Sequence, residues 1–152
     1  MLYIAADHAG FTLKNRILKL CQQQQIAVVD VHPQYDQQDD YPDVAVLLAQ
    51  KILDDDDNLG IAICGTAEGI CMGLNRFSFI RAATVDTPHI TKLSREHNQA
   101  NVICLPGPYS HKDFSDKMLL EIVETFLYTI PDESERHLRR IAKLSRLPTT
   151  LT

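Results

Sequence analysis

The 152-residue sequence predicts one doubly wound α/β domain built on a five-stranded parallel sheet. Three observations carry that prediction. Five short apolar runs alternate with stretches of helical periodicity. The runs are apolar throughout, as strands covered by helices on both faces require. The chain is also long enough, and at 45% hydrophobic residues apolar enough, to bury one real core.

The elements follow in order. "LYIAA" (2–6) is the first strand, and Leu13, Ile17, Leu20 and Cys21 recur at helical spacing over 11–23. "IAVVDV" (26–31) is the second strand. A polar loop then leads to a helix over 43–53, "DVAVLLAQKIL". "LGIAIC" (59–64) is the third strand, followed by a short helix from about Gly69. "IRAATV" (80–85) is the fourth, with a helix near 88–97, and "NVICLP" (101–106) is the fifth. A long amphipathic helix near 111–129 and a charged one over about 133–145 complete the pattern, and the tail "LPTTLT" is expected to fray. Asp54–Asp57 follow a helix C-terminus, where four carboxylates oppose the macrodipole, so they read as a solvated loop. With no internal repeats, residues 1–152 read as a single domain.

Composition excludes several classes of function. A net charge of −5 argues against a nucleic-acid partner. No apolar run approaches the roughly 20 residues that span a bilayer, so no membrane partner is expected. The start "MLYIAADHAG" lacks a basic n-region and a small-residue cleavage site. Cys21, Cys64, Cys71 and Cys104 show no metal-type spacing, which points to reduced thiols, no metal site and a cytoplasmic location.

Ligands of open parallel sheets bind outside the carboxyl ends of the strands. Cys64 ends the third strand and faces the start of the next helix, where free N–H groups and the dipole favour a thiolate. Gly65 and Gly69 let the backbone turn and approach a ligand, and the N–H groups of 66–70 suit an oxyanion. The plain alternative is a buried structural thiol. Asp7 and His8 end the first strand, with Asp7 equally able to cap a helix. His97 and Asn98 precede the fifth strand, where loop capping is the alternative role. Arg136, His137, Arg139 and Arg140 form a basic cluster suited either to solvent or to a phosphate. Glu68 favours the dipole at its helix start.

Together, "DHAG" (7–10), "DYPD" (40–43), "GIAICGTAEG" (60–69), "IRAATV" (80–85), "SREHNQANV" (94–102) and "RHLRRI" (136–141) resemble the ribose-5-phosphate isomerase B family, which includes the galactose-6-phosphate isomerase subunits. The resemblance implies a Rossmann-like α/β/α sandwich, a homodimer or dimer of dimers with sites shared between subunits, and aldose–ketose isomerisation of a sugar phosphate without cofactor or metal. Ribose 5-phosphate is the expected substrate. It further implies Cys64 as the base between C1 and C2, with Thr66 and the backbone of Gly65, Ala67, Glu68 and Gly69 stabilising the enediolate. His97 of a partner subunit would open the sugar ring, with Asp7 near the ring hydroxyls. Asn98 and Tyr41 would contact the sugar, and His8, Arg136 and Arg140 the phosphate. A second branch of the family places a glutamate where this chain has Ile70, so the chain resembles the cysteine branch. Two positions depart from the family pattern. Ala67 replaces a glycine, and Pro108 stands where an arginine is usual. The second departure bears on the substrate, for which allose, galactose or a tetrose phosphate are alternatives; a non-catalytic sugar-phosphate binder is the alternative of another class.

Overall fold

Side chains alternate across the strands and sort into two cores of different texture. A computed structural model describes residues 1–147, so the tail from 148 onward lies outside the described residues. Strands β1 (Leu2–Ala6), β2 (Val28–Asp30), β3 (Leu59–Cys64), β4 (Ala82–Thr84) and β5 (Val102–Pro106) form one all-parallel sheet in the order β2-β1-β3-β5-β4. The helices are α1 (Phe11–Gln23), α2 (Tyr41–Leu53), α3 (Glu68–Leu74), α4 (Pro88–Asn98), α5 (Asp116–Tyr128) and α6 (Glu135–Leu144).

On one face Ile4, Ile61, Ile63, Ile103 and Leu105 meet Ile17 of α1 and Leu119, Ile122 and Phe126 of α5. Each such buried side chain contributes about 1.5–3 kcal/mol. On the other face the strand residues are small: Ala5, Ala62, Cys64 and Cys104 pack against α2 and α3. A Cβ on Gly60 would come within 3.3 Å of Leu48 and Ile52, so the glycine lets α2 lie close to the sheet. The period of two places the Cys64 side chain on this closely packed face.

The expected α/β/α architecture stands, with corrections at element ends. The edge strands are shorter than expected, 28–30 and 82–84 against 26–31 and 80–85. Each has a ladder partner on one side only, and near β4 a turn and a side chain take over: Ile80 N–H bonds Phe77 O, and Arg81 N–H bonds Asn101 Oδ1. The helix expected from 111 begins at Asp116. Pro108–Ser110 form a 3₁₀ turn, His111 follows at φ 56°, and Ser115 caps α5 by accepting the Met118 N–H. α2 starts two residues early because Pro42 fits the first turn, where its missing N–H costs nothing. The Asp54–Asp57 loop is exposed as expected. Among the described residues no helix is long and apolar enough to cross a membrane.

The strand order places the site. The chain moves from β1 outward to β2, then crosses to β3 on the other side of β1. That reversal opens a crevice at the carboxyl ends of β1 and β3, where Asp7 and Cys64 stand.

Candidate active site

Three loops converge at this crevice, held together by main-chain bonds. Asp7 N–H donates to Ile63 O at 3.2 Å, and Gly107 N–H donates to Cys64 O at 2.9 Å. Tyr109 N–H donates to Gly65 O at 3.1 Å. The approach is close enough that a Cβ on Gly10 or Gly107 would lie 2.7 Å from Ile63 O or Cys64 O.

Cys64 is buried at the end of β3. The turn after it runs through exposed Thr66 to Ala67, which adopts φ 70° and ψ −26°. The family's usual glycine therefore has a conformational reason, and alanine here carries a strain of about 1 kcal/mol. No side chain caps α3, so the N–H groups of Glu68, Gly69 and Ile70 have no helical acceptor. Two tyrosine rings lie against the turn. A Cβ on Gly69 would meet the Tyr41 ring at 2.8 Å, and one on Gly65 would clash with the Tyr109 ring. Glycine at both ends of the turn thus lets an aromatic wall stand on each side of it.

Asp7 is buried, and its Oδ1 accepts the Gly10 N–H at 3.0 Å. Burial raises its carboxyl above the usual range, partly offset by that bond. His8 binds Asp39 through both its backbone N–H and its ring, each at 2.8 Å. The Asp39 bond raises the His8 pKa above its ordinary value, against a smaller opposing effect of burial.

The remaining expected residues stand elsewhere. His97 and Asn98 are the last residues of α4, just before β5 begins, whereas Cys64 pairs with Pro106 at the end of β5. Four strand steps separate those levels, about 13 Å. The His97 ring stacks on His137 of α6, with centroids 4.5 Å apart and planes 7° apart. Buried His137 also reaches Asp132 Oδ2 at 3.3 Å. Arg136 and Arg140 share one face of α6 and are exposed. Among the described residues no carboxylate lies within 4.0 Å of either. One chain therefore gathers Asp7, His8, Tyr41 and Cys64–Gly69 at one end of the sheet, and His97, Asn98, Arg136 and Arg140 at the other.

Sequence reasoning missed Asp39 and Tyr109. Both follow strands at the carboxyl edge, the one positional signal for them. Asp39 was hidden among neighbouring aspartates, and Tyr109 behind a Gly-Pro turn. All four cysteines are free and buried. Cys71 and Cys104 lie in one core cluster, where Cys71 Sγ donates to Ala82 O at 3.5 Å, and the neighbouring Cys104 thiol lowers the Cys71 pKa to about 7.

Comparison with known proteins adds the chemical context. Residues 2–144 match the model of the Ribose/Galactose Isomerase family. The probable ribose-5-phosphate isomerase B of Mycoplasma genitalium is 42% identical over 147 residues, covering 95% of this chain and 93% of that protein. The crystal structure of the Mycoplasma genitalium enzyme with bound ribulose 5-phosphate superposes with a TM-score of 0.82 at 41% identity, over 95% of this chain and 93% of that one. A Thermotoga maritima ribose 5-phosphate isomerase structure gives 0.85 at 36% identity, over 96% and 97% of the two chains.

Proposed function

This chain belongs to the ribose/galactose isomerase family, and from that premise we propose that it interconverts ribose 5-phosphate and ribulose 5-phosphate. The observation that carries the reading is Cys64 at the sheet's switch point, followed directly by a turn of uncapped N–H groups. Isomerisation needs a base beside a C–H and a positive field where the enediolate charge develops. Cys64 moves the proton between C1 and C2. Thr66 and the backbone of 65–69 face the oxyanion, with each good donor worth roughly 10²–10³ in rate. Tyr41 borders the sugar, Asp7 its hydroxyls, and His8 binds the phosphate.

The opposite end of the sheet supplies the rest from a second copy. His97 opens the ring, Asn98 meets the sugar, and Arg136 and Arg140, without a carboxylate neighbour among the described residues, clamp the phosphate. The roughly 13 Å between sheet ends supports a shared site, since one chain cannot close on a five-carbon substrate from both. The working unit is accordingly a homodimer, or a dimer of dimers. Four free thiols suit a reducing cytoplasm.

A coupled isomerase assay across pentose, hexose and tetrose phosphates tests the reading, with the highest kcat/KM expected for ribose 5-phosphate. A hexose phosphate turned over faster would reassign the substrate, and no turnover of any would leave only a binding protein. Mass measurement in solution should give at least a dimer, and a monomer that retains activity would exclude the shared site.

A further inference from the structure

Asp39 lies in the loop between β2 and α2 with its side chain 9% exposed. Its Oδ1 accepts the His8 backbone N–H and lies 2.8 Å from His8 Nδ1, while the Asp39 carbonyl is 3.2 Å from the same nitrogen. Both neighbours of Nδ1 are acceptors, so Nδ1 carries the proton and Nε2 is the nitrogen left for a ligand. A neutral His8 then offers a lone pair at Nε2, which repels an anion. Only the imidazolium offers an N–H there.

The surrounding charges favour that cation. Asp39 Oδ2 is buried and has no hydrogen-bond partner. The nearest other group, His32 Nδ1, is 3.8 Å away and is already bonded to Ala6 O at 3.0 Å. Lys14, fully buried behind them, is committed to Asp30 at 2.9 Å and to the His32 carbonyl. His8 is thus the one ionisable group hydrogen-bonded to Asp39 among the described residues, and a buried carboxylate without a cation is costly. The neighbouring Asp7 carboxylate adds a smaller electrostatic effect of the same sign.

We propose that Asp39 is a positioning residue for phosphate recognition: it fixes the His8 ring with Nε2 free for the ligand and holds it as the imidazolium a phosphate dianion requires. The proposal rests on the phosphate role given to His8 above. The rise in the His8 pKa caused by the Asp39 hydrogen bond agrees with it in direction.

Asp39→Asn removes the charge while its amide oxygen can keep both bonds to His8. The His8 ring titration, followed by NMR in the substrate-free protein, should move to lower pH. KM for ribose 5-phosphate should rise about tenfold near pH 8 and less near pH 6, where lower pH favours the imidazolium in both proteins. The effect should fall on KM rather than kcat. An unchanged titration midpoint overturns the proposal. A lowered midpoint with unchanged KM shows that the pair exists but does not serve phosphate binding, which also overturns it. Failure of the wild-type protein to turn over any sugar phosphate would instead count against the proposed function, and the titration would still report on the pair. Should Asp39→Asn not fold, the wild-type protein decides: KM must climb with pH through the NMR midpoint of His8. A climb displaced from that midpoint rejects the proposal.

Discussion

At the carboxyl ends of β1, β3 and β5 the functional groups are held by backbone; at the amino ends, α4 and α6 present theirs on side chains. The first region is tied by main-chain bonds such as Gly107 N–H to Cys64 O, and carries a thiol, uncapped N–H groups and the Asp39-bound His8. The second carries a stacked histidine pair and two arginines without a carboxylate neighbour among the described residues, and all four thiols are buried. The first suits precise placement of a base and an oxyanion donor, because main-chain groups lose little freedom when a ligand arrives. The second suits capture of a dianion by long cationic arms, at the entropic cost of ordering them. On the proposed reading neither end is complete by itself, and two copies arranged end to opposite end would join them.

The sharpest way to break this comparison removes the proposed base. Cys64→Ala should lower kcat by about 10²–10⁴ with the fold unchanged by circular dichroism. His97→Asn should be similarly impaired on ring-closed substrates. Mixing the two inactive variants and letting subunits exchange should restore about a quarter of wild-type activity, because half the dimers then carry one intact site. No recovery after demonstrated exchange would place both residues in the same chain's site.

A second test acts on the cationic end alone. Arg136→Ala with Arg140→Ala should raise KM at least about 100-fold, since each charge-assisted contact is worth about 1.5–3 kcal/mol. Normal substrate binding by the double variant would place the phosphate clamp elsewhere.

The smallest effect concerns the backbone-held end. Ala67→Gly should relieve the strain at φ 70° and stabilise the folded state by up to about 1 kcal/mol, seen in denaturant midpoints. A destabilised variant would mean that the buried Ala67 methyl packs better than its backbone is strained.

Local pattern determined much of this protein. Apolar runs and helical spacing placed every strand and helix, and the end of "LGIAIC" put Cys64 at a strand terminus facing a turn, because these features depend on neighbours a few residues away. The short edge strands, the late start of α5 and the order β2-β1-β3-β5-β4 depended on partners far along the chain. The His8–Asp39 pair joins residues 31 apart, and the Tyr109 ring covers Gly65 from beyond β5. Neither leaves a periodic trace in sequence. The left-handed turn at Ala67 was legible only as a missing glycine, and its φ of 70° belongs to a residue with no exposed surface. That Cys64 and His97 stand at opposite ends of the sheet follows from strand direction: each crossover helix returns the chain to the sheet's amino edge, so the carboxyl end of α4 lies away from the carboxyl end of β3 within one chain.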